Sequence, residues 1–134
     1  MRSIFQVSIA RPGKHLLTFE AKNIRLPAHN GFVGFMANRQ PLLTTLDAGI
    51  ITILDITDHN IWFGTTGGFC EMLENKATLL CDSLFAPEEI DFSKIVIPGP
   101  VYRKDSQNMS EKEKATYVTM LMKEFYVKLK QESA

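Results

Sequence analysis

The chain has 134 residues, the length of one domain with at most a short appendage, and 45% of them are hydrophobic. That content supports a packed core without disulfides or a structural metal. Fifteen basic and fifteen acidic side chains give a formal net charge of zero, which excludes a general electrostatic attraction to nucleic acid or to an anionic membrane. The sequence shows neither an apolar run of about 18 residues nor a secretory leader, so we expect a reduced, cytosolic compartment and no membrane span.

Short segments rich in β-branched and aromatic residues alternate with turn signals such as Arg11-Pro12-Gly13 over the first two thirds of the chain. The predicted strands are residues 4–9, 16–19, 21–26, 42–46, 50–56 and 61–64, followed by a hairpin over residues 69–81. Strands that recur at intervals of about eight to twelve residues favour a mainly β fold. We predict an antiparallel β-sandwich, or flattened barrel, followed by a linker and one carboxy-terminal α-helix.

A glycine-containing apolar segment occupies residues 30–46. Gly31 and Gly34 stand among bulky side chains such as Phe35, which are too apolar for a solvated turn. We therefore expect a packed corner here. Pro41 removes a backbone donor just before residues 42–46, so the corner leads into a buried strand.

The hairpin over residues 69–81 has a definite predicted register. With Glu74-Asn75 as the two-residue turn, Leu73 lies opposite Lys76, and the earlier residues pair in step. One face of the hairpin is then uniformly apolar and consists of Cys70, Met72, Ala77, Leu79 and Cys81. The two cysteines are diagonal rather than opposite in this register, so we expect buried free thiols and no disulfide.

Candidate chemistry is sparse in this sequence. His15, His29 and His59 lie in predicted turns without a second ligand at metal-binding spacing, so they indicate surface imidazoles and no metal site. Gly67-Gly68, at the start of the hairpin, indicates a bulge or a close backbone contact, with a ligand-binding nest as the alternative. The sequence has no lysine-bearing phosphate loop, nucleophile elbow or obvious carboxylate pair, so we predict no cofactor and no enzyme acting alone.

The last third of the chain changes character. Residues 92–109 contain the run Ile-Pro-Gly-Pro, which is incompatible with a helix, and are predicted to form an extended linker. Ser110 and Glu113 form a capping box for a helix over residues 111–131. Its apolar side chains recur at helical spacing and are Val118, Leu121, Met122, Phe125 and Leu129. The predicted parts are thus a domain of residues 1–91, a linker of residues 92–109 and a helical part of residues 110–134, whose apolar face docks on its own domain or on a neighbouring subunit.

Two motifs resemble the epsilon subunit of F-type ATP synthases. Residues 31–44 (GFVGFMANRQPLLT) are similar to that family's G-E-x-G-I-x-x-x-H-x-P-L-L-T signature. Residues 65–72 (TTGGFCEM) are similar to its S-G-G-F-L-E-V strand opening. Both motifs keep the family's spacing, and the resemblance covers about residues 4–91.

The resemblance implies a non-catalytic subunit with a β-sandwich at its amino terminus. Epsilon subunits sit in the rotating central stalk, where they bind the gamma subunit and the membrane-embedded c-ring and couple proton or sodium flow to ATP synthesis. The alpha/beta catalytic head is a further possible partner in such a complex. The implied location is peripheral, at the cytoplasmic face of a bacterial inner membrane or its organelle equivalent, with the membrane reached only through the complex.

The resemblance also assigns two contact regions. Gamma contacts are implied at Arg39, Pro41 and Leu42, where Arg39 replaces a family histidine and retains the ability to hydrogen-bond a carboxylate or a carbonyl. Contacts with the c-ring are implied at Asn30, Gly31 and Phe32. Phe32 stands where the family often has glutamate, so it is either an exposed apolar anchor or part of the core.

The carboxy-terminal part departs from the family pattern. The family usually has a helical hairpin that can inhibit ATP hydrolysis, whereas one helix is predicted here, so reduced regulation is implied. The family's nucleotide-binding element I-D-x-x-R-A is matched in part by residues 90–95. Asp91 and Lys94 are its candidate nucleotide-binding residues, although lysine meets a phosphate only as a point charge. The alternative to a stalk subunit is a stand-alone β-sandwich that binds a small ligand or a protein, with the helix as a lid.

Overall fold

The computed structural model describes residues 4–28, 31–36, 41–102 and 106–133. In chain order its strands are β1 (Phe5–Ala10), β2 (Leu17–Ala28), β3 (Gly31–Met36), β4 (Leu42–Leu46), β5 (Gly49–Asp55), β6 (Asn60–Thr65), β7 (Gly68–Leu73), β8 (Lys76–Cys81) and β9 (Leu84–Phe85). Its helices are two short 3-10 helices, Pro87–Glu89 and Phe92–Lys94, and one long α-helix, α1 (Glu111–Ser133).

The strands form one sheet that folds over on itself around a common core. Its order is β4-β7-β8-β1-β2-β5-β6-β9, and β3 also pairs with β2. Every described pair is antiparallel except β1 with β8, where Ile9 lies beside Leu79 in a parallel register. The predicted class, mainly β with one carboxy-terminal helix, is confirmed. The parallel pair was not predictable because its strands are distant in sequence and no turn joins them.

The core between the strands is built from alternating residues. Val7 and Ile9 of β1, Ile51 and Ile53 of β5, and Met72 of β7 are all completely buried. Successive side chains of a strand point to opposite faces, so every second residue enters the core. Full burial of one such side chain contributes about 1.5–3 kcal/mol to the free energy of unfolding, and a core to which eight of the described strands contribute buried side chains makes the sandwich stiff.

Strand β2 is one long strand, whereas the sequence predicted two, over residues 16–19 and 21–26. Glu20, between them, continues the ladder with β1. The pairing of β2 with β5 shifts register between Ala21 and Asn23, which marks a β-bulge. A bulge bends a strand without ending it, so the predicted break was wrong.

The corner predicted around Gly31 and Gly34 is instead strand β3, in a hairpin with β2. Gly34 lies opposite Arg25 and Gly31 lies opposite Ala28. Both glycines are therefore ordinary members of the β2–β3 ladder, in which β2 pairs with the backbone of β3. This apolar segment forms a strand and not a packed corner. Residues 29–30, which connect the two strands, lie outside the described residues.

The segment predicted as an extended linker is partly ordered by α1. It begins with the 3-10 helix Phe92–Lys94, and the Phe92 carbonyl accepts a hydrogen bond from the Lys123 ammonium at 2.6 Å. The Val101 N–H donates to the Glu124 carboxylate at 2.9 Å. These contacts join residues distant in sequence, which is why the local composition predicted only an extended chain.

Helix α1 begins as predicted. The Glu113 N–H donates to the Ser110 hydroxyl at 3.2 Å, and the Ser110 N–H donates to the Glu113 carboxylate at 3.3 Å, which completes the capping box. Val118 and Met122 of the predicted apolar stripe are fully buried against β5 and β6. The helix therefore docks on its own domain.

Gly64 of β6 makes this docking possible. A Cβ atom added at Gly64 would lie 2.6 Å from Val118 Cγ1 and 2.5 Å from Met122 Sδ, well inside van der Waals contact. Beside it, the Trp62 ring packs against the Phe125 ring with centroids 4.8 Å apart. The helix thus approaches the sheet closely at Gly64 and covers a tryptophan.

Replacing Gly64 by alanine should weaken helix docking, because the added methyl overpacks the contact with Val118. We expect a loss of about 1–3 kcal/mol in the free energy of unfolding, measured by urea denaturation followed by Trp62 fluorescence. Gly13→Ala is an unsuitable control because Gly13 has φ of 68°; Gly99→Ala, where an added Cβ meets nothing within 4 Å, is the matched one. Equal stability of Gly64→Ala and Gly99→Ala would contradict this account.

The division into a domain of residues 1–91 and a helical part of residues 110–134 predicts that the sandwich folds alone. A chain ending at Asn108 removes α1 and exposes Trp62 and Ile50, which the helix covers. We expect a lower melting temperature but a retained cooperative transition, since the core between the strands is untouched. Loss of the cooperative transition by circular dichroism would show that α1 belongs to the same folding unit.

Candidate partner-binding face

Strands β7 and β8 form the predicted hairpin. Leu73 pairs with Lys76, and the register continues without a shift to the pair of Gly68 with Cys81. Glu74 and Asn75 have φ of 51° and 58°, the left-handed values that a type I′ turn requires. The predicted register is confirmed, and it fixes which side chains face the core and which face outward.

The outward side of this hairpin carries large apolar side chains. Phe69 pairs with Thr45 of β4 on one side and with Leu80 of β8 on the other, so one row crosses three strands. The exposed fractions are 70% for Leu43, 53% for Phe69, 44% for Leu73 and 53% for Leu80. We call these four residues the outer face. A group of exposed apolar side chains on one side of a sheet is typical of a protein-binding surface.

At Gly68 the backbone of β7 comes very close to the backbone of β8, and both strands carry residues of the outer face. An added Cβ would overlap the carbonyl oxygen of Leu80, and φ is 147°, so only glycine fits there. The Thr65 hydroxyl donates a hydrogen bond to the Ser83 carbonyl at 3.0 Å. The close backbone contact predicted for the glycine pair is confirmed, and it holds the start of β7 against β8.

The inward side of the same hairpin contains both cysteines. Cys70 and Cys81 are buried and free. Burial raises the pKa of Cys70 to about 12, with smaller contributions from Cys81 and Glu71. The pKa of Cys81 is also raised, chiefly by burial. Both groups are therefore neutral thiols inside the core at ordinary pH.

Two of the three residues predicted to contact gamma, Pro41 and Leu42, lie at the start of β4. Arg39 is outside the described residues, and Pro41 is exposed. Leu42 is partly buried and packs against the core, whereas its neighbour Leu43 points outward. Within the described part of this region, Pro41 is therefore accessible, and the outward leucine is Leu43.

Two of the three residues predicted to contact the c-ring, Gly31 and Phe32, lie at the end of the β2–β3 hairpin. Asn30 is outside the described residues. Gly31 and Phe32 are the first two residues of β3, and Phe32 pairs with Pro27 of β2. This hairpin end is separate in the fold from the outer face, which belongs to β4, β7 and β8.

Asp91 and Lys94 have a local structural role. The Asp91 carboxylate accepts hydrogen bonds from the Ser93 N–H at 3.1 Å and the Ser93 hydroxyl at 2.6 Å, which caps the second 3-10 helix. Lys94 Nζ lies 4.0 Å from the other Asp91 oxygen. Both side chains are more than half exposed, so they form a capped, solvated turn.

In the described ranges, no group of three or more histidine, cysteine or acidic side chains is arranged to hold a metal ion. No helix in the described part of the chain is long and apolar enough to cross a membrane.

A match to a family model decides what kind of protein this is. Residues 4–87, more than half of the chain, match the model described as "ATP synthase, Delta/Epsilon chain, beta-sandwich domain". The chain belongs to the ATP synthase delta/epsilon family. The resemblance drawn from residues 31–44 and 65–72 is confirmed, and with it the epsilon type, a non-catalytic subunit of ATP synthase.

One curated relative shows how far this epsilon-type chain resembles the family in sequence. The ATP synthase epsilon chain of Lacticaseibacillus casei (strain BL23) is 31% identical over 94 residues, which cover 69% of this chain and 66% of the relative. The match thus spans slightly less than two thirds of the relative's length.

Two solved structures share the fold of this epsilon-type chain. A chain in the cryo-EM structure of the Euglena gracilis mitochondrial ATP synthase has a TM-score of 0.67 at 14% identity, with 92% of this chain and 79% of that chain covered. A chain in the cryo-EM structure of the Tetrahymena thermophila mitochondrial ATP synthase central stalk and c-ring has a TM-score of 0.56 at 15% identity, with 88% and 95% covered.

Sequence reasoning missed the outer face of the epsilon-type sandwich, although a signal for it was present. The register that places Cys70 and Met72 inside also places Phe69 and Leu73 outside. It also missed buried Ser106, whose hydroxyl donates to an Asp47 carboxylate oxygen at 2.7 Å. The Ser106 contact joins residues far apart in sequence, so no local pattern indicates it.

Both thiols should be unreactive in the folded protein, because they are buried and protonated. A thiol reagent such as 5,5′-dithiobis(2-nitrobenzoate) at pH 8 should label neither Cys70 nor Cys81 until the chain is unfolded in guanidinium chloride. Because the folded pKa of Cys70 is raised from 9.0 to about 12, its contribution to stability is complete below pH 9 and is lost as the pH rises toward 12. Stoichiometric labelling of the native protein would contradict this placement.

Proposed function

We propose that the chain is a non-catalytic rotor subunit in the central stalk of a proton- or sodium-translocating F-type ATP synthase. In this role it binds the gamma subunit and the c-ring and couples ion flow to ATP synthesis. The location is peripheral, at the cytoplasmic face of a bacterial inner membrane or its organelle equivalent. Family membership supports the type of complex, and the Tetrahymena neighbour comes from a structure of a central stalk and c-ring.

The observation that carries the proposal is the uncovered outer face. In the described part of the chain, α1 covers β5 and β6, which lie in the other layer of the sandwich. Leu43, Phe69, Leu73 and Leu80 are left exposed on the layer that has no helix. Burying such side chains against a partner gains free energy in proportion to the apolar area removed from water. We assign this face to gamma, together with the neighbouring positions Arg39, Pro41 and Leu42.

A subunit that transmits torque has to resist deformation, and the sandwich meets that requirement. Its core is continuous across the strands, and close-packed interiors have low compressibility. The c-ring contact then falls at the end of the β2–β3 hairpin, at Asn30, Gly31 and Phe32. Two surfaces built on separate parts of one rigid body suit a subunit placed between two partners.

Reduced regulation of ATP hydrolysis is also part of the proposal. Helix α1 is held by buried Tyr117, Val118 and Met122 and by the hydrogen bonds of Lys123 and Glu124. Releasing the helix would expose these groups and Trp62 to water. The free-energy cost of that exposure opposes extension of the helix toward the catalytic head. Asp91 and Lys94 are retained as the candidate nucleotide contact, to be tested by titration of the chain with ATP.

Capture of gamma tests the main proposal. The chain, co-expressed with the gamma subunit of the same organism, should co-purify with it, and Phe69→Ser should weaken binding about tenfold or more because it removes an aromatic anchor. Arg39→Ala should also weaken binding without unfolding the chain. Affinities are measured by surface plasmon resonance, with folding checked by circular dichroism.

The matched control is Val96→Ser, because Val96 is 81% exposed but lies outside the outer face. This variant should bind gamma like the unmodified chain. A monomeric chain that captures no gamma would favour a stand-alone binding module instead. Equal losses for Phe69→Ser and Val96→Ser would exclude the outer face as the contact.

A further inference from the structure

A carboxylate lies in the middle of the outer face. Glu71 stands between Phe69 and Leu73 on β7, and side chains two residues apart on a strand point to the same side, about 7 Å from each other. Across the sheet, Glu71 pairs with Leu43 of β4 on one side and with Thr78 of β8 on the other. Three of the four outer-face residues are thus its immediate neighbours.

The Glu71 carboxylate has no partner in the described part of the chain. The residue is exposed, and no hydrogen bond or ion pair of the described ranges involves its side chain. Thr78, directly opposite on β8, is half-buried and uncharged. In the free chain the negative charge is therefore solvated by water.

One lysine lies near this carboxylate, at the rim of the outer face. Lys76 is the only basic residue of strands β4, β7 and β8. It pairs with Leu73 at the last position before the turn, which makes it a diagonal neighbour of Glu71, and diagonal neighbours are about 7–8 Å apart. Lys76 is exposed and forms no ion pair in the described ranges. Its place beside the turn lets its ammonium group stay in water when a partner covers the centre.

A partner that covers the apolar side chains of the outer face also removes Glu71 from water, because the carboxylate lies among them. Burial of an ionised carboxylate without a partner is strongly unfavourable, and it opposes the free energy gained by burying Leu43 and Phe69. The partner therefore has to present positive charge and hydrogen-bond donors at this point. A guanidinium supplies both, because its planar fork donates two parallel hydrogen bonds to one carboxylate.

We infer that Glu71 is the specificity-determining residue of the outer face and that it binds an arginine side chain of the partner. This arginine is flanked by apolar side chains that pack on Leu43, Phe69 and Leu73. The inference rests on the assignment of the outer face to gamma, and it names the chemistry of the gamma surface that fits. The surrounding apolar side chains exclude water from the ion pair, which strengthens it. A surface that is apolar throughout is rejected, since it leaves the carboxylate unpaired.

Two substitutions of Glu71 test the inference, with the full chain and the gamma subunit of the same organism in surface plasmon resonance. Glu71→Gln keeps the shape of the side chain but removes its charge, and it should raise the Kd about ten- to a hundredfold. Glu71→Leu enlarges the apolar surface but should also raise the Kd, because it leaves the partner's arginine buried without a counterion. Tighter binding of Glu71→Leu would show that the face acts by apolar burial alone and would overturn the inference.

The matched controls are Glu88→Gln and Glu88→Leu. Glu88 is an exposed glutamate of the 3-10 helix Pro87–Glu89 and lies outside the outer face, so both variants should bind gamma like the unmodified chain. Lys76→Gln tests the lysine at the rim, and it should leave the Kd within about twofold. A loss for Lys76→Gln equal to that for Glu71→Gln would identify Lys76 as the counterion of Glu71 and would also overturn the inference.

Failure of the inference and failure of the proposed function give different results. If the unmodified chain captures no gamma, the assignment of the outer face falls and the inference falls with it. If Phe69→Ser weakens gamma binding while Glu71→Gln leaves the Kd unchanged, the outer face remains the gamma contact and only the inference is overturned. Circular dichroism checks the folding of each variant, and Glu71→Gln decides the question by itself if Glu71→Leu aggregates.

Discussion

Strands β5 and β6 are buried on both faces, and the rest of the architecture depends on that double burial. Ile51 and Phe63 face the sandwich core, while Ile50 and Trp62 face α1. Side chains on the two sides of one strand pair therefore stabilise two different clusters. Gly64 allows the helix to come close enough to cover Trp62, and without that approach the second cluster would be open to water.

This arrangement gives the sandwich two unlike layers. The layer of β5 and β6 is covered by α1 and by the segment that leads to it. The layer of β4, β7 and β8 has Leu43, Phe69 and Leu80 exposed in the described structure. A domain with one side closed by its own helix and the other side apolar and exposed has a natural face for a partner, which agrees with membership of a family whose members are subunits of a larger complex.

The helix and the segment before it also show why the carboxy-terminal part is more than an appendage. Phe92 stacks on Tyr126 with ring centroids 4.6 Å apart, and Lys130 lies 4.7 Å from the centre of the Tyr126 ring. Aromatic and cation–π contacts of this kind add to the free energy gained by burial alone. The Phe92–Tyr126 stack and the hydrogen bonds of Lys123 and Glu124 hold residues 92–102 against α1, so the segment and the helix act as one cover over β5 and β6.

The sequence by itself determined the features that depend on local pattern. Alternation of side chains identified most of the strands, the Glu74-Asn75 turn set the β7–β8 register, and the Ser110–Glu113 capping box placed the start of α1, because each of these is specified by residues a few positions apart. The two motifs also identified the family. Only the tertiary structure decided the continuity of β2 through its bulge, the pairing of β3 with β2, the parallel pairing of β1 with β8, and the layer on which α1 docks. These features depend on contacts between residues distant in the chain, such as Gly64 with Val118 and Ser106 with Asp47, and no local pattern encodes such contacts.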